Sequence, residues 1–102
     1  MDGRSILSPT DTAAELDGSG FRHADEHLVG VFRTADFRSA VHLVDAVAVL
    51  ADELNHHPDV QLAWGRVEFS LTSHDAGGVT QRDVELALRI RSIADELEAS
   101  TG

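Results

Sequence analysis

The stretch from Phe37 to Leu54 constrains the fold of this chain more than any other. Phe37, Ala40, Val41, Val44, Val47, Ala48, Ala51 and Leu54 recur every three or four residues, which is helical spacing sustained over about five turns. Leu43, Ala46, Val49 and Leu50 widen the apolar sector well beyond one stripe. A helix apolar on most of its circumference is covered on more than one side, so one side is expected to face a sheet and the other a second subunit. Thr34-Ala35-Asp36 caps its start, and Asn55-His56-His57-Pro58 ends it. The residue before a proline is pushed out of the α region, so His57 is expected to be extended.

The flanking segments supply the sheet. Val60, Leu62 and Trp64 alternate as in a half-buried strand, Gly65-Arg66 turns the chain, and Val67, Phe69 and Leu71 alternate again. That places Glu68, Ser70, Thr72 and His74 on the opposite face, with Glu68 expected to meet solvent. Upstream, Phe21–Asp25 and Leu28–Thr34 read as a first hairpin, which Gly30 weakens. Ser8-Pro9-Thr10-Asp11 starts a short helix over Thr12–Leu16, and Asp17-Gly18-Ser19-Gly20 stops it. Thr80-Gln81-Arg82-Asp83 resembles a capping box, opening a last helix with Leu86, Ile90, Ile93 and Leu97 on one stripe. The expected fold class is α+β: a four-stranded antiparallel sheet with three helices on one face, in the order α-β-β-α-β-β-α. Residues 1–102 are expected to be one domain, with 1–8 and 99–102 frayed.

Composition removes several classes of function. A formal charge of −10, with eight basic residues that are all Arg and dispersed, argues against direct binding of nucleic acid or an anionic membrane. The absence of cysteine excludes disulfides, thiolate metal sites and a cysteine nucleophile. Met-Asp-Gly-Arg has no apolar run behind it, so no signal peptide is expected, and no segment reads as a membrane span. A cytoplasmic location is the plain expectation.

The chemistry concentrates where the long helix stops. Three of the six histidines, His56, His57 and His74, fall at that helix end and at the end of the returning hairpin. Short connections should bring their rings to one pocket. Imidazole titrates near neutrality, so such a cluster suits proton transfer or metal binding. Asp52 lies one turn before His56 and could orient a ring. Plainer readings compete. A histidine at a helix end can be only a cap, three imidazoles with a carboxylate can hold zinc, and helix capping alone accounts for Asp83. His23 and His27 read as solvated, His42 as an interface or surface residue, and Trp64 more as core than as a stacking platform. No phosphate-cradling glycine loop or dinucleotide fingerprint is present, which leaves metal-free acid–base work by imidazoles.

The spacing Asp52, His56-His57-Pro58, Trp64, His74, Asp83 resembles the pterin-4a-carbinolamine dehydratase family. Ala51 to Asp59 and Leu71 to Asp75 look like its two signature segments, and Asp36-Phe37 with Ala40 resembles the start of its long helix. The resemblance implies dehydration of 4a-hydroxytetrahydropterin to quinonoid dihydropterin, with no metal or other cofactor. By position it makes His56 and His74 the acid–base pair and His57 mainly a substrate-binding residue. It places Asp52 and Asn55 with the substrate, the Thr72-Ser73 backbone on the pterin ring, and Asp83 in support of the site. It further implies a homodimer or homotetramer, and, as the alternative, a non-catalytic assembly or dimerisation module on the same fold. The chain departs from the family pattern at Gly18-Ser19-Gly20-Phe21, where Gly-Trp is usual, at Thr34, where an apolar residue is usual, and at Asp52, which stands for Glu.

Overall fold

Alternation of apolar and polar residues builds the sheet, and the helices cover its apolar side. The computed structural model describes residues 5–102 in the order α1 (Pro9–Leu16), β1 (Phe21–Ala24), β2 (His27–Arg33), α2 (Phe37–Leu54), β3 (Asp59–Ala63), β4 (Arg66–Leu71), α3 (Gln81–Glu96) and β5 (Ser100–Thr101). The sheet runs β1-β2-β4-β3, antiparallel throughout, with β5 beside the end of β2. In the central pair, Leu28 faces Leu71, Gly30 faces Phe69 and Phe32 faces Val67. All six are buried. Between them come Val29, Val31, Glu68 and Ser70, which are half-buried on the other face. Leu43, Val47 and Leu50 of α2 and Val84, Leu86, Ala87 and Ile90 of α3 complete one core cluster with these strands.

Gly30 strengthens the first hairpin. It pairs with Phe21 across the strands, and a Cβ at Gly30 would lie 2.7 Å from the Phe21 ring. The glycine makes room for an aromatic ring laid over it, which in turn packs against Phe32 with centroids 5.7 Å apart.

Capping sets the helix starts. Ser8 and Asp11 form a reciprocal box at α1, with Asp11 N–H donating to Ser8 Oγ and Ser8 N–H to Asp11 Oδ2. Asp36 caps α2 through the Ser39 N–H at 2.8 Å, and that bond holds its carboxyl below the usual carboxylate range.

Several expectations are corrected. The sheet has five strands, because the chain after α3 turns at Glu98 (φ 61°), buries Ala99 and pairs Thr101 with Phe32. Residues 99–102 are therefore tied down, with Gly102 N–H donating to Val31 O. At the other end residues 1–4 lie outside the described residues, while Leu7 N–H bonds Val79 O and Ser8 caps α1. Trp64 is neither core nor strand: it sits in the β3–β4 turn, 72% exposed. The preceding strand, β3, is exposed throughout because it is an edge strand paired only with β4. The alternation holds as to side, since Val60 pairs with Phe69 and Leu62 with Val67, yet both stay about two-fifths exposed. His23 and His27 are not simply solvated. Thr12 of α1, fully buried, lies 2.9 Å from His23 Nδ1, and Ser70 lies 3.2 Å from His27 Nδ1. Glu68 is half-buried and paired with Arg66 at 3.0 Å.

Candidate active site

Three chain turns converge where α2, β4 and α3 meet. At the first, α2 ends with Asn55 in the left-handed region (φ 50°), and its N–H closes back on Asp52 O. Asparagine tolerates this conformation better than most residues. His56 N–H still reaches Ala51 O, so His56 stays against the helix end while Pro58 leads the chain into β3. The second is the turn from Ser73 to Gly78 after β4, in which Ser73 O accepts from the N–H groups of Ala76 and Gly77, and Gly77 takes φ 82°. The third is the first turn of α3.

Asp83 ties them together. It is the third residue of α3 and fully buried. Its Oδ1 lies 2.5 Å from His56 Nε2. Its Oδ2 accepts from Ser73 Oγ at 2.8 Å and from Thr80 N–H at 2.9 Å. Ser73 and Thr80 are themselves buried, with their hydroxyls 2.9 Å apart. A carboxylate only accepts, so the proton between Asp83 and His56 belongs to Nε2. This fixes the tautomer of His56 and leaves Nδ1 as the nitrogen that can take up or release a proton. His56 is mostly buried, with its side chain 13% exposed. Asp83 thus acts both as a helix cap and as an imidazole anchor, the two roles the sequence left side by side.

The resulting open cleft has a volume of about 330 Å³ and is lined by Asn55, His56, His57, Thr72, His74, Asp75 and Arg82. It brings His56, His57 and His74 to one place, with Asn55 and Thr72 beside them. His74 is exposed on the Ser73–Gly78 turn. Asp52, Ser73 and Asp83 do not line it. Asp52 pairs with His57, not His56: Asp52 Oδ1 lies 2.9 Å from His57 Nε2, and both side chains are largely exposed. The left-handed step at Asn55 accounts for this, because it turns the chain back so that His57 returns toward α2. Ser73 is turned inward at both its backbone N–H and its hydroxyl. Its N–H is bound to Gly78 O and its hydroxyl to Asp83, so it holds the site from behind. The Thr72 hydroxyl donates to Glu26 O, linking the cleft wall to the β1–β2 turn. Arg82 and Asp75, joined at 2.6 Å, are cleft residues that sequence reasoning missed. The available signal was the position of Arg82 immediately before Asp83. No group of three or more metal-ligating side chains is assembled among the described residues, and no described helix is long and apolar enough to cross a membrane.

Helices over an antiparallel sheet, with an anchored imidazole and two further imidazoles in a cleft at its end, define a small α+β protein with a histidine-lined cleft. Comparison with known proteins gives the family. The profile of the family described as pterin 4 alpha carbinolamine dehydratase matches residues 5–93. Proteins provisionally named pterin-4-alpha-carbinolamine dehydratase are 37% identical over 89 residues in Thermosynechococcus vestitus, covering 86% of this chain and 94% of theirs. In Haloarcula marismortui such a protein is 39% identical over 90 residues, covering 88% and 97%. A crystal structure of a transcriptional coactivator/pterin dehydratase from Brucella melitensis superposes with a TM-score of 0.81 at 29% identity, covering 88% of this chain and 99% of that one. A pterin dehydratase-like RuBisCO assembly factor of the alpha-carboxysome shares the fold, with a TM-score of 0.63 at 20% identity over 74% of this chain and 89% of that one. The chain belongs to the pterin-4a-carbinolamine dehydratase family.

Proposed function

We propose that the cleft binds a 4a-hydroxytetrahydropterin and removes its 4a-hydroxyl as water, giving the quinonoid dihydropterin. The observation that carries this reading is the buried Asp83–His56 pair opening onto a cleft shared with His57 and His74. The reaction moves two protons and no electrons to or from the protein. One imidazole protonates the 4a-oxygen as its bond to carbon breaks. Another takes the N5 proton as the C4a–N5 double bond forms, so the two transfers cancel. His56, with its tautomer set by Asp83, and His74, on the turn, are the pair assigned to these transfers. His57, steadied by Asp52, binds the substrate with Asn55 and Thr72. A cleft of about 330 Å³ is within the usual range for a small-molecule site, roughly 300–1,000 Å³. The test is dehydration of enzymatically generated 4a-hydroxytetrahydropterin. Wild type should accelerate it, and His56→Ala and His74→Ala should each remove most of the acceleration.

The second reading is an interaction module on this fold. It is favoured by the apolar hollow between β3 and α2, where Val60 lies beside Val44, Ala48 and Pro58, and by Leu62 exposed on the same edge strand. The same edge makes a second copy of the chain the natural partner, and an oligomer is compatible with catalysis. Size-exclusion chromatography at micromolar concentration should give a mass above that of the 11.0 kDa chain, and Leu62→Glu should lower it. A monomeric wild type would contradict this part of the reading.

A further inference from the structure

His74 is flanked by two anchored neighbours, and both anchors are in the first turn of α3. Its predecessor, Ser73, donates its hydroxyl hydrogen bond to Asp83 Oδ2. Its successor, Asp75, accepts from Arg82 Nη2 at 2.6 Å. Asp83 holds His56 as well. Two adjacent residues of one helical turn therefore bear on both imidazoles assigned to proton transfer, Asp83 on His56 and Ser73, and Arg82 on the segment carrying His74. The backbone alone does not finish this task. Hydrogen bonds within the turn converge on Ser73 O and fix its base, whereas His74 and Asp75 are exposed at its outer side. The Arg82–Asp75 pair is about one-third to one-half exposed, and ion pairs so placed contribute little to stability. Its consequence is geometric, because a displacement of about 1 Å at a reacting group can lower a rate roughly 100-fold.

We infer that Arg82 is a positioning residue, which holds the His74 turn through Asp75 and so sets the distance between the two imidazoles. This rests on the dehydratase reading for its effect on rate, but not for its effect on the turn. Arg82→Gln should lower kcat for pterin dehydration about 10- to 100-fold with KM changed far less. Arg82→Lys, which keeps a cation near Asp75, should recover part of the loss. In a His74→Ala background Arg82→Gln should cost nothing further, since there is no imidazole left to position. Backbone ¹⁵N relaxation reads the same point without substrate: residues 74–77 should gain mobility in Arg82→Gln while the β4 amides do not. Asp75→Asn should reproduce this pattern and serves if the Arg82 variants fold poorly. An equal loss of rate in both His74 backgrounds, or residues 74–77 as ordered as in wild type, would overturn the proposal. A wild type inactive on the pterin would refute the dehydratase reading, and the relaxation result would still decide the role of Arg82.

Discussion

Replacing Asp83 by Asn keeps the shape of the side chain and removes its charge. The structure dictates how the amide must lie. Two donors, Ser73 Oγ and Thr80 N–H, converge on Oδ2, so the amide oxygen takes that place and the NH₂ group takes the place of Oδ1. The NH₂ then faces His56 Nε2, where the carboxylate oxygen was 2.5 Å away. Two donors cannot share that bond, so Nε2 must become the acceptor and the His56 proton must move to Nδ1. All three bonds to residue 83 also change from charge-assisted to neutral. At about 1 kcal/mol lost per bond, stability should fall by roughly 3 kcal/mol. With urea slopes of about 1–3 kcal/mol per M, the unfolding midpoint should drop by roughly 1–3 M, leaving the protein folded in buffer. The inverted tautomer presents a proton where the wild type presents a lone pair, and dehydration should slow by about 10²–10⁴-fold. Urea titration and the dehydration assay on one preparation separate the two effects. An Asn variant that keeps both the wild-type midpoint and the wild-type rate would refute the anchoring role of Asp83.

Three further outcomes are expected. Gly30→Ala puts a Cβ within 2.7–2.8 Å of three Phe21 ring atoms and should cost about 1–3 kcal/mol in urea unfolding; no loss would mean that the Phe21 ring is not seated over Gly30 as described. The Asp36 carboxyl lies below its ordinary 3.8 because of the Ser39 N–H bond, so its contribution is present above that value and lost as pH falls through the lower folded value. The stability difference between wild type and Asp36→Ala should therefore be constant near neutrality and shrink in acid below about pH 3.8; a difference that grows in acid would contradict this sign. Asp52→Asn removes an exposed pair and should change stability by at most about 1 kcal/mol, while raising KM for the pterin by loosening His57; an unchanged KM would remove Asp52 from substrate binding.

Much of the fold could be read from residue spacing because strong periodicity leaves few alternatives. The bounds of α2 follow from its apolar repeat and from Pro58, and the faces of β4 from strict alternation. The misses have local physical causes. Ser100–Thr101 carries no strand pattern, and it becomes a strand only because β2 offers an open place beside Phe32. The burial of β3 depends on its position at the sheet edge, which alternation cannot reveal. Gly30 reads as a weakness in the sequence because its partner, Phe21, is a cross-strand neighbour that spacing along the chain does not show. In the cleft, the family-like spacing pointed to the histidines and Asp83, since each has a chemistry that narrows its uses. Which carboxylate His57 meets depends on the left-handed step at Asn55, which residue spacing does not reveal. Arg82 and Asp75 carry no signal in the sequence because an Arg–Asp pair is ordinary on a protein surface, and only its place beside His74 makes it informative.

The central claim is that His56 and His74 exchange protons with a pterin hemiaminal. It is tested most directly by following loss of the 4a-hydroxytetrahydropterin absorbance with wild type, His56→Ala and His74→Ala at equal concentration near neutral pH. Wild type should accelerate dehydration, with each alanine variant reduced by about 10²-fold or more while still folded. Wild-type rates in both alanine variants, or no acceleration by wild type, would contradict it.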